Sequence, residues 1–286
     1  MSLLSRERYI AVLAPGGATL ARRVGRGRLA LLDGAGDDGA GGPDAGHDGG
    51  GNGGGRNGSW AAAADALQRL VDESGVRRGD LAVVLSSHFA RFRLVPWSDA
   101  IGSPAELESY VRIGFEDVYG PVVAGWALRV SPEASGRPRV AVGIEQALLD
   151  RLQQLAQRAG LRLASVQPHP VAAFNRLLPR LRRDDFLFAV AEPGRCSVLV
   201  ARAGRWISVR SNASDDSDRA VIDLLERECE LAGLVDDALP PVFVHVPGRG
   251  EDAWPPMLGA APVPLVIGSA GLPAPDPRVG MALAEA

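Results

Sequence analysis

Any chemistry in this chain has to proceed without an amine nucleophile, because all 31 basic residues are arginine. A P-loop needs a lysine against the β- and γ-phosphates, a protein kinase needs its strand lysine, and a Schiff-base enzyme needs the amine itself. Those classes are excluded. Ser86-Ser87-His88 sets hydroxyls beside a base. No GxSxG elbow surrounds it, and neighbours on an extended chain point to opposite faces, so it reads as a strand-end loop. His47, His88, His169 and His245 are scattered, none with a second ligand at i+3 or i+4, and no metal site is expected. His169, between Pro168 and Pro170, reads as a turn residue. Cys196 and Cys229 lack CxxC spacing and read as small buried hydrophobes. From Gly34 to Gly58, 13 of 25 residues are glycine, with Asp37, Asp38, Asp44 and Asp48 among them. Calcium-binding GGxGxD repeats use those residue types, but no nonapeptide register holds. The segment 33–59 reads as a flexible insertion, too poor in apolar groups to offset the entropy of ordering.

At 286 residues, 46% apolar and 23% charged, the chain can bury one large core or two intimate ones. A net charge of −3 argues against a nucleic-acid partner, since no basic excess exists to neutralise phosphates. The apolar run Tyr9 to Ala14 falls far short of the ~20 residues a membrane span needs, and Arg6, Glu7 and Arg8 precede it without a signal-peptide core. A cytosolic protein with no span of its own is expected.

The elements that would position these residues are clearly punctuated. Tyr9 to Ala14, Ala18 to Val24 and Arg28 to Leu32 read as three strands, and Trp60 to Val71 as an Ala-rich helix. Leu81 to Ser86 is a buried-type strand, and Phe92 to Trp97 another, ended by Pro96. Ser103-Pro104-Ala105-Glu106 is a capping box for a helix to about Tyr119, striped by Leu107, Tyr110, Val111, Phe115 and Val118. Strands at Gly125 to Val130 and Arg139 to Ile144 follow, then a helix stopped by Gly160 and a strand from Leu161 to Val166. Pro168-His169-Pro170 opens a further helix that Pro179 closes. Strands at Asp185 to Ala191, Arg195 to Arg202 and Arg205 to Arg210 precede a helix from about Asp215 to Leu231 and a strand at Val242 to Val246. Beyond Pro247 the prolines leave room for one strand, Val263 to Ile267. Trp97 with Trp126, and Phe92 with Tyr119, read as core pairs of the 91–160 region.

This order of elements, together with Ala159-Gly160-Leu161-Arg162-Leu163, Ser165-Val166-Gln167-Pro168 and Ala173-Phe174-Asn175, resembles the actin-like assembly proteins of type IV pili and type II secretion. PilM, the cytoplasmic region of GspL and the MSHA-biogenesis relatives are meant, over residues 8 to 246. The resemblance implies an α/β, duplicated ribonuclease H-like (actin-like) fold with the βαββα subdomain shared with FtsA. It places the first half at 1–90, the inserted subdomain at 91–160, the return to the first half at 161–184, and a trimmed second half with a Pro-rich C-terminal tail at 185–286.

An actin-like ATPase grips nucleotide with glycine-rich turns, one from each half, and a later glycine pair. The corresponding turns here are Ala14-Pro15-Gly16-Gly17, Glu192-Pro193-Gly194-Arg195 and Pro247-Gly248-Arg249-Gly250. The first lacks the acid, Glu192 would stand in for the usual aspartate, Pro15 and Pro193 each remove an amide donor, and the third lacks adjacent glycines. Gly16, Gly17, Glu192, Gly194, Gly248 and Gly250 are thus expected as a vestigial nucleotide site with no catalytic residue and no cofactor. What the resemblance then implies is a cytoplasmic scaffold, peripheral to the inner membrane through a partner. That partner would be a single-span PilN-like protein, alongside other assembly-platform components, with Arg91 and Trp97 as contact residues. The competing expectation is an ATPase or phosphotransferase that binds Mg-ATP and uses Glu192.

Overall fold

The computed structural model describes residues 6–25, 28–32, 60–181, 184–215, 217–234, 239–268 and 276–286. The glycine-rich segment 33–59 lies outside the described residues. Strands β1 (Arg8–Ala14), β2 (Gly17–Gly25) and β3 (Arg28–Leu31) precede helix α1 (Trp60–Glu73) and β4 (Gly79–Leu85). A 3-10 turn at Ser87–Phe89 leads to β5 (Arg91–Val95), α2 (Pro104–Tyr119), β6 (Trp126–Val130) and β7 (Arg139–Glu145). The chain then returns through α3 (Gln146–Arg158), β8 (Leu161–Pro168) and α4 (His169–Leu181). The remainder is β9 (Phe186–Glu192), β10 (Arg195–Arg202), β11 (Arg205–Ala213), α5 (Asp218–Leu231), β12 (Val242–His245), β13 (Val263–Pro264) and α6 (Pro277–Leu283).

Two five-stranded sheets share one topology, β3-β2-β1-β4-β8 and β11-β10-β9-β12-β13. In each, the central strand pairs antiparallel with its hairpin partner and parallel with the strand after the helix. Both central strands are apolar between Arg8 at the start of β1 and Glu192 at the end of β9, because both of their faces are covered. Tyr9, Ala11 and Leu13 face α1 and α3, whereas Ile10 and Val12 face the other half. Likewise Leu187 and Ala189 face α5, whereas Phe186, Phe188 and Val190 face inward. A third sheet, β5-β7-β6, carries α2 on one face through Val111, Phe115, Val123, Leu128 and Ala141.

The capping box forms in modified shape. Ser103 Oγ accepts from the Glu106 amide at 3.2 Å, while Glu106 accepts from the amide of Gly102 rather than of Ser103. Three expectations are corrected. Pro179 lies inside the last turn of α4 instead of closing it. The aromatic pairs regroup: Trp126, Tyr119 and Phe115 form one cluster, while Phe92 packs toward the halves. Trp97 stands outside that cluster, with the Arg139 guanidinium 5.2 Å from its ring centre.

The C-terminal region is not all tail. β13 is only two residues long, but α6 follows it with Val279, Met281, Ala282 and Leu283 buried. Fully burying a Val, Met or Leu side chain is worth about 1.5–3 kcal/mol, so this one helix anchors the end of the chain. It packs on β1 and β2 of the first sheet, as α4 packs on β9 of the second. The second half is trimmed in one place: no helix lies between β12 and β13 among the described residues, where the first half has α3.

Candidate functional site

The residues at the carboxyl ends of β4, β8, β9 and β12 meet where the two halves touch. Glu192, the last residue of β9, is buried, and both its oxygens are engaged from the first half. Oε2 accepts from Ser86 Oγ at 2.5 Å and the Ser87 amide at 2.9 Å. Oε1 accepts from Ser87 Oγ at 2.6 Å and His169 Nδ1 at 2.9 Å. A carboxylate offers about four lone-pair directions, and four protein donors occupy them. Burial alone would raise the Glu192 carboxyl. The hydrogen bond and charge of His169, joined by Ser86 and Ser87, instead bring it below its ordinary value, so it is held ionised.

Both serines reach one carboxylate because the chain leaves β4 in a 3-10 turn rather than extended. Ser86 caps that turn by accepting from the His88 amide. The sequence expectation that adjacent side chains diverge fails for this reason. His169 is also corrected: it is the first residue of α4 and wholly buried. Its ring centre lies 5.6 Å from that of His245, the last residue of β12. His245 Nδ1 bonds the Leu265 carbonyl at 2.8 Å and therefore carries the hydrogen. Burial, with His169 beside it, lowers His245 to about 3, so it is neutral. The Nε2 atoms of His169 and His245 are buried without a hydrogen-bond partner among the described residues. A signal for both histidines existed, since polar residues ending apolar parallel strands line the cleft of an open α/β sheet.

The three glycine turns border this junction, and each is occupied by the chain itself. At the first, Arg278 of α6 donates to the Gly16 carbonyl at 3.4 Å and lies against Gly17. At the second, His88 Nε2 bonds the Pro193 carbonyl at 2.9 Å, with its ring over Gly194. At the third, Gly280 packs so closely that a Cβ there would lie 2.3 Å from the Gly248 amide. A Cβ at Gly250 would meet open space among the described residues. Arg249 grips Asp218 at the start of α5 through both carboxylate oxygens and stacks on Trp254, 4.4 Å from the ring centre. A cavity of about 110 Å³ remains among Glu192, Pro193, Asp218, Arg249, Trp254 and Pro277.

Arg91 opens β5, and Trp97 lies two residues past its end. Arg91 donates to the carbonyls of His88 and Ala90, clamping the turn below the junction. Trp97 lines a hollow of about 260 Å³ with Pro96, Ile101, Ser103, Leu107 and Arg139. Cys196 and Cys229 are buried thiols, raised by burial to about 12 and about 11. Among the described residues, no three His, Cys, Asp or Glu side chains are grouped to hold a metal, and no helix is long and apolar enough to cross a membrane.

No protein-family model matches the chain, and no curated protein matches it by sequence. Solved structures do. The cytoplasmic domain of EpsL, an inner-membrane component of the type II secretion system of Vibrio cholerae, superposes with a TM-score of 0.55 at 12% identity, over 98% of this chain and 93% of that one. PilM in the PilM-PilN type IV pilus biogenesis complex gives 0.54 at 17% identity, over 83% and 80%. A Bacteroides thetaiotaomicron protein with an actin-like ATPase fold gives 0.53 at 11% identity, over 87% and 84%. The chain thus has an actin-like fold and is, by structure, similar to PilM and to the cytoplasmic domain of EpsL.

Proposed function

We propose that this chain is a scaffold of a pilus- or secretion-type assembly platform, working by contact rather than by nucleotide turnover. The partner would be a single-span, PilN-like inner-membrane protein that offers an extended cytoplasmic tail, and the chain's membrane association would come through it. The observation that carries the reading is Glu192. The acid that ends β9 has its lone pairs taken by Ser86, Ser87 and His169 and joins the halves, while Asp218 beside the cavity is gripped by Arg249. The cavity left beside it, about 110 Å³, is below the ~300 Å³ at which small-molecule sites begin. The structural likeness to PilM, solved with PilN, supports the choice of partner.

The Trp97 hollow suits a short apolar segment of such a tail: Ile101 and Leu107 supply apolar wall, and Arg139 supplies a charge at the rim. The test is capture of a PilN-like tail peptide from the same genome by immobilised protein. Trp97→Ala should weaken capture about tenfold or more, as loss of a buried aromatic anchor does, while Arg91→Ala acts only through stability. A tail bound equally well by Trp97→Ala, or magnesium-dependent ATP turnover abolished by Glu192→Ala, would replace this reading with a different contact surface or with the ATPase.

A further inference from the structure

We propose that an arginine-lined hollow at the amino ends of β1, β4 and β8 binds a phosphate-bearing dianion. It lies at the opposite ends of these strands from the junction of the halves, so it is independent of the scaffold reading. Ligands of open α/β sheets ordinarily sit at the carboxyl ends, and nothing in the actin-like architecture calls for a charged hollow here. The hollow measures about 530 Å³, within the range of small-molecule sites, and its wall includes Arg6, Glu7, Arg77, Arg78 and Arg162.

The charges do not cancel. Asp80 takes Arg162 through two hydrogen bonds of 2.8 and 2.7 Å and stands 3.7 Å from Arg6. Glu7 accepts from Tyr9 and from Arg22. Four guanidiniums on the wall therefore face two carboxylates, leaving an excess of two positive charges. Arg77 spends one donor on the carbonyl of Val76 and pairs with no acid among the described residues. No hydrogen bond or ion pair with a described residue engages Arg78.

Arg78 also occupies a backbone position that disfavours it. Its φ is 63°, a left-handed conformation ordinarily given to glycine or asparagine. An uncommitted guanidinium held at a strained position beside three others is better placed for a ligand than for the fold. Arginine forks match phosphate oxygens two at a time, and a surplus of two charges suits a phosphomonoester or diphosphate. A soluble phosphate compound and a lipid headgroup present this same chemistry.

Isothermal titration of the full chain with inorganic pyrophosphate, beside co-sedimentation with phosphatidic acid (a phosphomonoester headgroup) and phosphatidylcholine vesicles, tests the site. Arg78→Gly is the informative variant, since glycine relieves the left-handed backbone and its melting temperature should hold or rise. It should weaken pyrophosphate binding about tenfold or more, the worth of one charge-assisted contact, and Arg77→Ala should do the same. Trp97→Ala should leave binding unchanged. Pyrophosphate binding that depends on Arg78 assigns the site to a soluble phosphate. Retention on phosphatidic acid vesicles alone, lost in Arg78→Gly, assigns it to a lipid headgroup. Binding of neither probe, or binding indifferent to both arginine variants, overturns the proposal and leaves the arginines as neutralisers of the carbonyl ends of α1 and α3.

Discussion

The two halves lay down five strands in the same order but finish those strands with opposite chemistry. β1 runs into Ala14-Pro15-Gly16 and β9 into Glu192-Pro193-Gly194, equivalent turns of which only the second carries an acid. At the ends of β4 and β8 the first half offers Ser86, Ser87 and His169, all donors to that acid. Two identical ends could not bond each other this way. The asymmetry supplies a direct bond between the halves at their junction. The helices show the same division of labour in apolar form, α4 leaning on β9 and α6 on β1.

Removing the acid should have the largest effect. Glu192→Ala strands two hydroxyls, an amide and an imidazole in a dry junction, and breaking a buried pair in this way costs about 3–5 kcal/mol. Urea unfolding of the variant measures it. A loss below about 1 kcal/mol would mean that the halves are held by the apolar core around Phe188 and Met281 alone.

The fourth residue of α6 is Gly280, and that of α4 is Ala172. Gly280→Ala pushes a Cβ into the Pro247-Gly248 backbone, where nothing flexible can yield. The expected loss is about 1–3 kcal/mol, as for overpacking elsewhere. Ala172→Gly should cost only about 0.5–1 kcal/mol, the ordinary helix penalty. Equal losses would show that the two helices are packed alike after all.

Acid should act through His245 before it acts through Glu192. His245 is lowered to about 3 when folded against 6.5 in the open chain. Between those values the unfolded state binds the extra proton, and stability falls with falling pH by about 1.4 kcal/mol per unit. Glu192, lowered when folded, adds its own loss only below about 4.5. Glu285, raised by burial, works in the opposite direction just above that value. The measurement is therefore the difference in slope between the native chain and His245→Gln from pH 6.5 to 4.5. Parallel slopes would show that His245 titrates normally.

The sequence disclosed what periodicity and caps encode. The paired central strands, the Ser103 cap and the glycine stops were readable because each is specified locally, and the actin-like arrangement of the halves through the resemblance that their element order carries. The junction was not. Ser86 and Ser87 converge only because a 3-10 turn overrides the alternation of a strand, and His169 is buried only because Glu192, 23 residues on, arrives beside it. Helix α6 was hidden by the prolines around it. Asp276 caps it by accepting from the Arg278 amide, and Pro277 fits its first turn, a start signal that the surrounding Pro-rich text obscured. Arg91, expected as a partner contact, also holds the turn, a role that depends on where carbonyls 88 and 90 point and that no local pattern encodes.

The smallest expected effect is the response to Mg-ATP, and it bears most directly on the comparison of the halves. A phosphate cradle works by presenting backbone amides to the anion. Pro15 and Pro193 have no amide to present, and they occupy the same place in the two equivalent turns. Each turn also carries a contact from the chain itself: Arg278 on the Gly16 carbonyl, His88 on the Pro193 carbonyl, and Gly280 against the Gly248 backbone. A nucleotide would have to displace these contacts, and magnesium would have to break hydrogen bonds of a buried carboxylate whose lone pairs are taken. A ligand present at 100 times its dissociation constant stabilises by about 2.7 kcal/mol, which in a domain of this size is a shift of roughly 5–10 °C. With millimolar Mg-ATP the expected shift is under about 1 °C, the same as with AMP or sulfate. A shift of several degrees specific to ATP would mean that the junction opens and that Glu192 is a latch over a working site. In that case His88→Ala, which removes the cover from the second turn, should enlarge the shift. If it does not, the nucleotide is binding elsewhere.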